Sequence, residues 1–114
     1  MCLRLIVGIS GASGVVLGYH LLKALKEYPE WETQLIITDG AKRTLQLETQ
    51  LRLSDFEALA NFVHDNNNLA ACISSGSFKT DGMIVIPCSM KTLAGIATGY
   101  AENLLLRAAD VCLK

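Results

Sequence analysis

The stretch of residues 3–14, LRLIVGISGASG, constrains the fold of this chain more than any other part of the sequence. Residues 3–9 are mostly apolar, as in a buried strand, and a corner rich in glycine and serine follows before a helical pattern begins. Such a corner presents free backbone N–H groups and the positive end of a helix dipole. The stretch therefore predicts a site for the phosphate of a nucleotide-like cofactor.

The rest of the chain alternates predicted strands with predicted helices. The strands are expected at 3–9, 33–38 and 82–86, and the helices at 13–28, 41–47, 54–63, from about 92 to 99, and at 101–113. This alternation predicts a parallel sheet with right-handed crossovers. We expect one doubly wound α/β domain over residues 1–114.

A capping-box pattern, Ser54-x-x-Glu57, predicts that the helix after residue 53 begins at Ser54 and continues to about Val63. Residues 64–68 are polar and are predicted to form a loop. His64 is accordingly expected to be solvated.

Composition narrows the class of protein. The 114 residues are 51% hydrophobic and 18% charged, which suits a sheet covered on both faces, and the net charge of −1 gives no support to nucleic-acid binding. No segment has the length of a membrane span and no signal-peptide pattern is evident, so a cytoplasmic location without membrane attachment is expected. The cysteine spacing does not indicate a metal site.

Two predicted strand ends carry loops rich in hydrogen-bond donors, at residues 10–14 and 88–92. In open α/β sheets ligands bind at the carboxyl ends of the strands, so both loops are expected at one crevice, with Lys91 as a phosphate contact and Thr38 and Asp39 within reach. The spacing G-x-x-G-x-x-G differs from the dinucleotide pattern G-x-G-x-x-G. A purely structural turn therefore remains open, as does an NAD site with Asp39 on the ribose.

Glu48 and Cys88 are candidates for chemistry. Near the crevice a partly desolvated Glu48 would have a raised pKa and could act as an acid or base, although the spacing alone favours a solvated glutamate at a helix end. Cys88 lies close to a predicted helix N-terminus, where a thiol could be activated.

Several stretches together resemble the UbiX/Pad family of flavin prenyltransferases: LIVGISGASG, LET at 47–49, SSGSFKTDGM, PCSMKTLAGIATGY and NLLLRAADVCLK. The resemblance implies a flavodoxin-like or Rossmann-like doubly wound fold in three layers, α/β/α, that binds FMN. It also implies transfer of a dimethylallyl group from dimethylallyl phosphate to FMN, giving prenylated FMN for a UbiD-type aromatic acid decarboxylase as partner. No metal is implied.

The resemblance also assigns residues. It implies that Ser13 lies near the reacting flavin and that Glu48 assists proton transfer there, as catalytic residues. The cofactor-binding residues that it implies are Gly11, Ala12, Ser13, Thr38, Ser89, Met90, Lys91 and Thr92.

Family members continue beyond the motif that ends at Lys114, so the resemblance leads us to expect a C-terminally truncated chain. It would lack part of the prenyl-donor site and some contacts of the trimer-based dodecamer that the family forms. The alternatives are a non-catalytic FMN-binding fragment or assembly subunit of the same family and, further away, an NAD-dependent Rossmann enzyme.

Overall fold

The structure, a computed structural model, describes residues 2–114. Its elements are β1 (Leu3–Ile9), α1 (Val15–Lys26), β2 (Trp31–Ile37), α2 (Asp39–Glu48), α3 (Leu53–Glu57), β3 (Phe62–Asp65), a 3₁₀ turn (Cys72–Ser74), β4 (Gly82–Val85), α4 (Met90–Thr98) and α5 (Leu104–Leu113). The four strands form one parallel sheet in the order β3-β2-β1-β4. The predicted doubly wound α/β fold is confirmed.

The order of the strands decides where a ligand can enter. β1 lies inside the sheet and pairs along its whole length with β2, and over residues 5–8 with β4. The chain builds outward from β1 to β3 and then crosses to the other side of β1 to form β4. The strand order thus reverses between β1 and β4, and in such sheets the crevice opens at the carboxyl ends around this point.

Each face of the sheet has its own core, because successive side chains of a strand point to opposite faces. Leu5, Val7 and Ile9 of β1 pack with Leu22 of α1 and Phe56 of α3. On the other face, residues of β1 and β2 pack with the buried side of α5 and the 3₁₀ turn. The sheet is therefore covered on both faces, which gives the three layers.

The segment after residue 53 differs from the prediction. α3 runs from Leu53 to Glu57. Its start is set by the Asp55 carboxylate, which accepts from the Arg52 N–H at 2.8 Å, and not by the predicted capping box at Ser54. Residues 62–65 then form β3, which pairs with β2. The predicted helix to Val63 is therefore wrong. The backbone N–H and C=O groups of residues 62–65 pair with β2, a strand about thirty residues earlier in the chain, and not within a helix.

His64 lies in β3 and is not in a solvated loop. Its Nε2 is 2.6 Å from Oε1 of Gln34 on the neighbouring strand, and partial burial lowers the pKa of the imidazole. The expectation of a solvated histidine is therefore wrong.

Two helices are shorter than predicted. Gly14, with φ of +96°, precedes α1, so the helix starts at Val15. The Asn103 side chain accepts from the Leu106 N–H at 2.9 Å, so α5 starts at Leu104. Within residues 2–114, none of the helices combines the length and the apolar character that crossing a bilayer requires.

Candidate functional site

A cleft of about 800 Å³ lies at the carboxyl edge of the sheet, and loops that follow all four strands contribute to its walls. Of the residues predicted to bind the cofactor, five line it: Gly11, Thr38, Ser89, Lys91 and Thr92. The structure thus brings together the two donor-rich loops that the sequence places at separate strand ends.

Other predicted residues lie outside this cleft. Ala12, Ser13, Met90 and Glu48 are not among the residues that line it, and Met90 is 78% exposed. Ser13 is nevertheless only two residues from Gly11, so its α-carbon is within about 8 Å of the cleft wall. Ser13 is therefore at the margin of the cleft, and Glu48 is hydrogen-bonded to it.

A second, smaller cavity of about 260 Å³ lies by Trp31 and Thr33, at the start of β2. Because the strands are parallel, this is the opposite edge of the sheet, and none of the predicted site residues line the cavity. The functional site is accordingly assigned to the larger cleft.

Close backbone packing requires glycine at position 11. A β-carbon on Gly11 would lie 2.8 Å from the carbonyl carbon of Gly40, at the start of α2. The Thr38 N–H also donates to the carbonyl of Ile9 at 3.0 Å. The β1–α1 and β2–α2 corners are therefore in direct contact at the floor of the cleft.

Ser10 connects the other pair of loops. Its side chain is 1% exposed, and its hydroxyl donates to the Pro87 carbonyl at 2.8 Å while accepting from the Ser89 N–H at 2.7 Å. Apart from its place in the donor-rich loop 10–14, no role was predicted for this serine. The only signal for it is a hydroxyl residue placed directly after a buried strand, which is too common to be informative without the contacts.

Hydroxyl side chains cap the helices that point at the cleft. Thr38 Oγ1 accepts from the Ala41 N–H at 3.0 Å and caps α2, and Ser89 Oγ accepts from the Thr92 N–H at 3.2 Å and caps α4. Each helix N-terminus has four N–H groups without intrahelical partners, so N–H groups remain for a ligand. Two cations, Arg43 and Lys91, and two carboxylates, Asp39 and Glu102, also line the cleft, so it is the helix N-termini that favour an anion there.

Ser13 and Glu48 form the main polar contact at the margin of the cleft. The Ser13 hydroxyl donates to Glu48 Oε2 at 2.7 Å, and the Gly14 N–H donates to Oε1 at 3.1 Å. The bond from Ser13, followed by the one from Gly14, lowers the pKa of Glu48, and the smaller opposing effect of desolvation does not reverse this. The expected rise in its pKa is wrong, because the carboxylate is exposed and held by two donors.

Cys88 does not have the properties of an activated thiol. Partial burial raises the pKa of Cys88, and the thiol contacts the Ser89 carbonyl at 3.6 Å. A thiol is a nucleophile mainly as the thiolate, so the structure disfavours Cys88 as a catalytic group.

Several residues of the cleft wall were not predicted: Arg43, Asn66, Asn67, Thr98, Tyr100, Glu102 and Asn103. A hydrogen bond to Glu102 and the charge of that carboxylate raise the pKa of Tyr100, so its phenol remains protonated at neutral pH. Within residues 2–114, no group of three His, Cys, Asp or Glu side chains is arranged to hold a metal ion.

A parallel sheet with strand-end loops and helix N-termini around one cleft is the arrangement in which doubly wound α/β proteins bind nucleotides. The flavoprotein family model matches residues 2–114. The chain belongs to the flavoprotein family.

The chain is similar to a probable UbiX-like flavin prenyltransferase of Sedimentibacter hydroxybenzoicus, with 74% identity over 112 residues, which are 98% of this chain and 59% of the relative. Among solved structures it is similar to a dodecameric FMN-dependent UbiX-like decarboxylase from Escherichia coli O157:H7, with a TM-score of 0.95 and 58% identity over 97% of this chain and 60% of that one.

It is also similar to AnUbiX (PadA1) in complex with FMN and dimethylallyl pyrophosphate, with a TM-score of 0.95 and 46% identity over 99% of this chain and 60% of that one. These relatives confirm the resemblance to UbiX/Pad proteins. The chain spans about three fifths of the length of the relatives that it matches.

Proposed function

We propose that residues 1–114 form a single FMN-binding domain of a flavin prenyltransferase of the UbiX type. The protein would transfer a dimethylallyl group from dimethylallyl phosphate to FMN. The observation that carries this proposal is the cleft, in which loops from all four strands bring helix N-termini and two cations together. The similarity to a protein in complex with FMN and dimethylallyl pyrophosphate supports the same cofactor and the same class of prenyl donor.

The residues of the cleft fit FMN. A phosphate matches the free N–H groups at the starts of α2 and α4, and Arg43 and Lys91 supply positive charge. The close contact of Gly11 with Gly40 leaves the cleft floor free of side chains there. We propose that the cofactor is held by Gly11, Ala12, Ser13, Thr38, Ser89, Met90, Lys91 and Thr92. When bound, FMN supplies the nucleophilic ring atoms that accept the dimethylallyl group.

Ser13 and Glu48 are proposed as the catalytic residues. Because the pKa of Glu48 is lowered, the group is an ionised carboxylate at neutral pH and is ready to accept a proton at Oε1 or Oε2. The Ser13 hydroxyl directs its proton at Oε2, which leaves the lone pairs of its Oγ facing outward. The pair thus begins as a base and not as an acid.

Further parts of the proposal concern partners. The product would pass to a UbiD-type aromatic acid decarboxylase, as the sequence resemblance implies. The dodecameric relative supports a homo-oligomer, and a cytoplasmic location fits a protein that delivers its product to another enzyme. None of these steps requires a metal ion.

Binding of FMN is the first test. Purified chain is titrated with FMN and, as a control, with NAD, following flavin fluorescence and the midpoint of thermal unfolding. We expect FMN to raise the midpoint and NAD to have no effect at the same concentration. A chain that is folded but unaffected by FMN would refute the cofactor, and a stronger effect of NAD would favour a Rossmann-type dehydrogenase.

Prenyl transfer is the second test. The chain is incubated anaerobically with reduced FMN and dimethylallyl monophosphate, and the flavin is examined by mass spectrometry for the addition of one dimethylallyl group. We expect the modified flavin to form. Binding of FMN without this product would support the alternative, a non-catalytic FMN-binding or assembly module of the same family.

A further inference from the structure

Asn66 is a polar residue inside the cleft that no sequence pattern marks. It directly follows β3 and is 9% exposed. Its backbone carbonyl accepts from the Leu104 N–H at 2.9 Å, and its Oδ1 accepts from the Leu105 N–H at 2.9 Å. Asn66 therefore caps the N-terminus of α5 with two oxygens while lining the cleft.

These contacts determine which way the side-chain amide faces. The Leu105 N–H can only donate, so its partner must be Oδ1, and the two N–H bonds of Nδ2 point elsewhere. Within residues 2–114, Nδ2 has no hydrogen-bond partner, and none of the side-chain nitrogen and oxygen atoms there is both buried and unpartnered. Nδ2 is therefore accessible, and Asn66 is one of the residues that line the cleft.

A fixed amide nitrogen of this kind recognises one type of ligand atom. It carries donors only, so it pairs with an acceptor oxygen and rejects a donor. A partly enclosed donor that a ligand covers without pairing would weaken binding, because its hydrogen bond to water is lost and not replaced. Arg43 and Lys91 can attract any anion at a distance, whereas this amide requires an oxygen at one position.

We propose that the Asn66 side-chain amide binds the flavin nucleotide directly, donating from Nδ2 to an acceptor oxygen of the ligand. The inference rests on the proposed FMN site. The oxygen belongs either to the phosphate or to the ring and ribityl part, which share this chemistry. Asn66 thus has two roles, as the cap of α5 and as a residue that determines ligand specificity.

The substitution Asn66→Asp separates the two roles. An aspartate has nearly the same shape, still accepts from the Leu105 N–H, and places a negative charge near a helix N-terminus, where it is favourable. It replaces the Nδ2 donor by a second acceptor. The cap is therefore retained while the proposed contact with the ligand is lost.

Asn68→Asp is the matched control. Asn68 Oδ1 accepts from the Ala70 N–H at 3.1 Å, so this change also preserves a capping bond and adds the same charge two residues away. Asn68 is exposed and does not line the cleft. Asn68→Asp thus measures the effect on FMN binding of an added charge at an exposed position outside the cleft.

The experiment measures dissociation constants of FMN and riboflavin and the thermal midpoints of the ligand-free proteins. We expect Asn66→Asp to weaken FMN binding by about 10- to 100-fold with an unchanged or higher midpoint, and Asn68→Asp to have less than about a threefold effect. An equal loss with riboflavin places the acceptor on the ring or ribityl part, and a loss with FMN alone places it on the phosphate.

Equal FMN affinity of Asn66→Asp and Asn68→Asp would overturn the inference and leave Asn66 as a cap. If Asn66→Asp does not fold, the side-chain NH₂ resonances of the ¹⁵N-labelled unmodified protein are followed instead. The Asn66 pair must shift on addition of FMN, and an unchanged pair would overturn the inference. Failure of the unmodified protein to bind FMN would refute the proposed function itself.

Discussion

The hydroxyl of Ser13 donates a 2.7 Å hydrogen bond to Oε2 of Glu48, a residue 35 positions further along the chain. The other carboxylate oxygen accepts the Gly14 N–H at 3.1 Å, directly before α1. The end of α2 is thereby attached to the start of α1. An anion at a helix N-terminus is stabilised by the helix dipole, so the same contact both joins two elements and keeps Glu48 ionised.

The first prediction concerns the pH dependence of stability. Because the folded-state pKa of Glu48 lies below its ordinary value of 4.5, its contribution is fully present above that value and is lost as the pH falls through the lowered pKa. The free energy of unfolding in urea is measured for the unmodified chain and for Glu48→Gln from about pH 7 to about pH 3. The difference between the two proteins should be constant near neutral pH and should disappear only in acid. A difference that grows on acidification would contradict the depressed pKa.

The second prediction concerns catalysis. Glu48→Gln keeps the shape of the side chain but removes the base, and we expect it to slow prenyl transfer by about 10²-fold or more with little change in FMN affinity. Single-turnover rates are measured by mass spectrometry of the flavin, with and without the substitution. This chain is used if it is active, and otherwise a longer relative that carries the same substitution. Ser13→Ala should reduce the rate in the same direction. Full activity of the Glu48→Gln protein would exclude the proton-transfer role.

The third prediction concerns Ser10. Ser10→Ala leaves the Ser89 N–H without its partner, so we expect the free energy of unfolding to fall by about 1–3 kcal/mol and FMN binding to weaken. Ser74→Ala is the matched control, since Ser74 Oγ also donates to a backbone carbonyl, that of Ala71 at 2.7 Å, but lies outside the cleft. Equal FMN affinities for the two variants would show that Ser10 does not position the loop that carries Ser89.

The fourth prediction concerns the contact between two glycines. Gly11→Ala would place a β-carbon 2.8 Å from backbone atoms of Gly40, and a backbone neighbour cannot move aside as a flexible side chain can. We expect a loss of stability of about 1–3 kcal/mol, measured by urea unfolding. Gly40→Ala is the control. Its β-carbon would lie 3.5 Å from the nearest atom, which is ordinary van der Waals contact, and alanine is a better helix former than glycine, so no loss of stability is expected. Similar stability of both variants would refute the close approach.

The sequence was most informative where one segment satisfies its own backbone and buries its own side chains. β1, the glycine corner, a helix ending near Gly99 and the alternation of strands and helices were predicted correctly from local patterns. Thr38, Ser89, Lys91 and Thr92 were placed at the ligand cleft because strand ends of a parallel sheet share one edge.

Prediction failed where a residue's environment comes from a distant part of the chain. Residues 62–65 form a strand because they pair with the side of β2 that β1 leaves unpaired. The local sequence around residues 62–65 contains no information about that free edge. The pKa of Glu48 fell because Ser13 and Gly14 reach it across the fold. Ser10 and Asn66 were missed for the same reason, since a buried hydroxyl or amide gains a role only from its partners.

The amino-acid sequence by itself determined the class of fold, the edge of the sheet that carries the site and, through its long motifs, the family. Hydrophobic periodicity and glycine positions are local features, so a single sequence shows them directly. Only the tertiary structure decided the protonation state of Glu48, the link through Ser10 and the direction of the Asn66 amide. These depend on hydrogen bonds between residues far apart in sequence, whose geometry exists only once the sheet and its helices have packed.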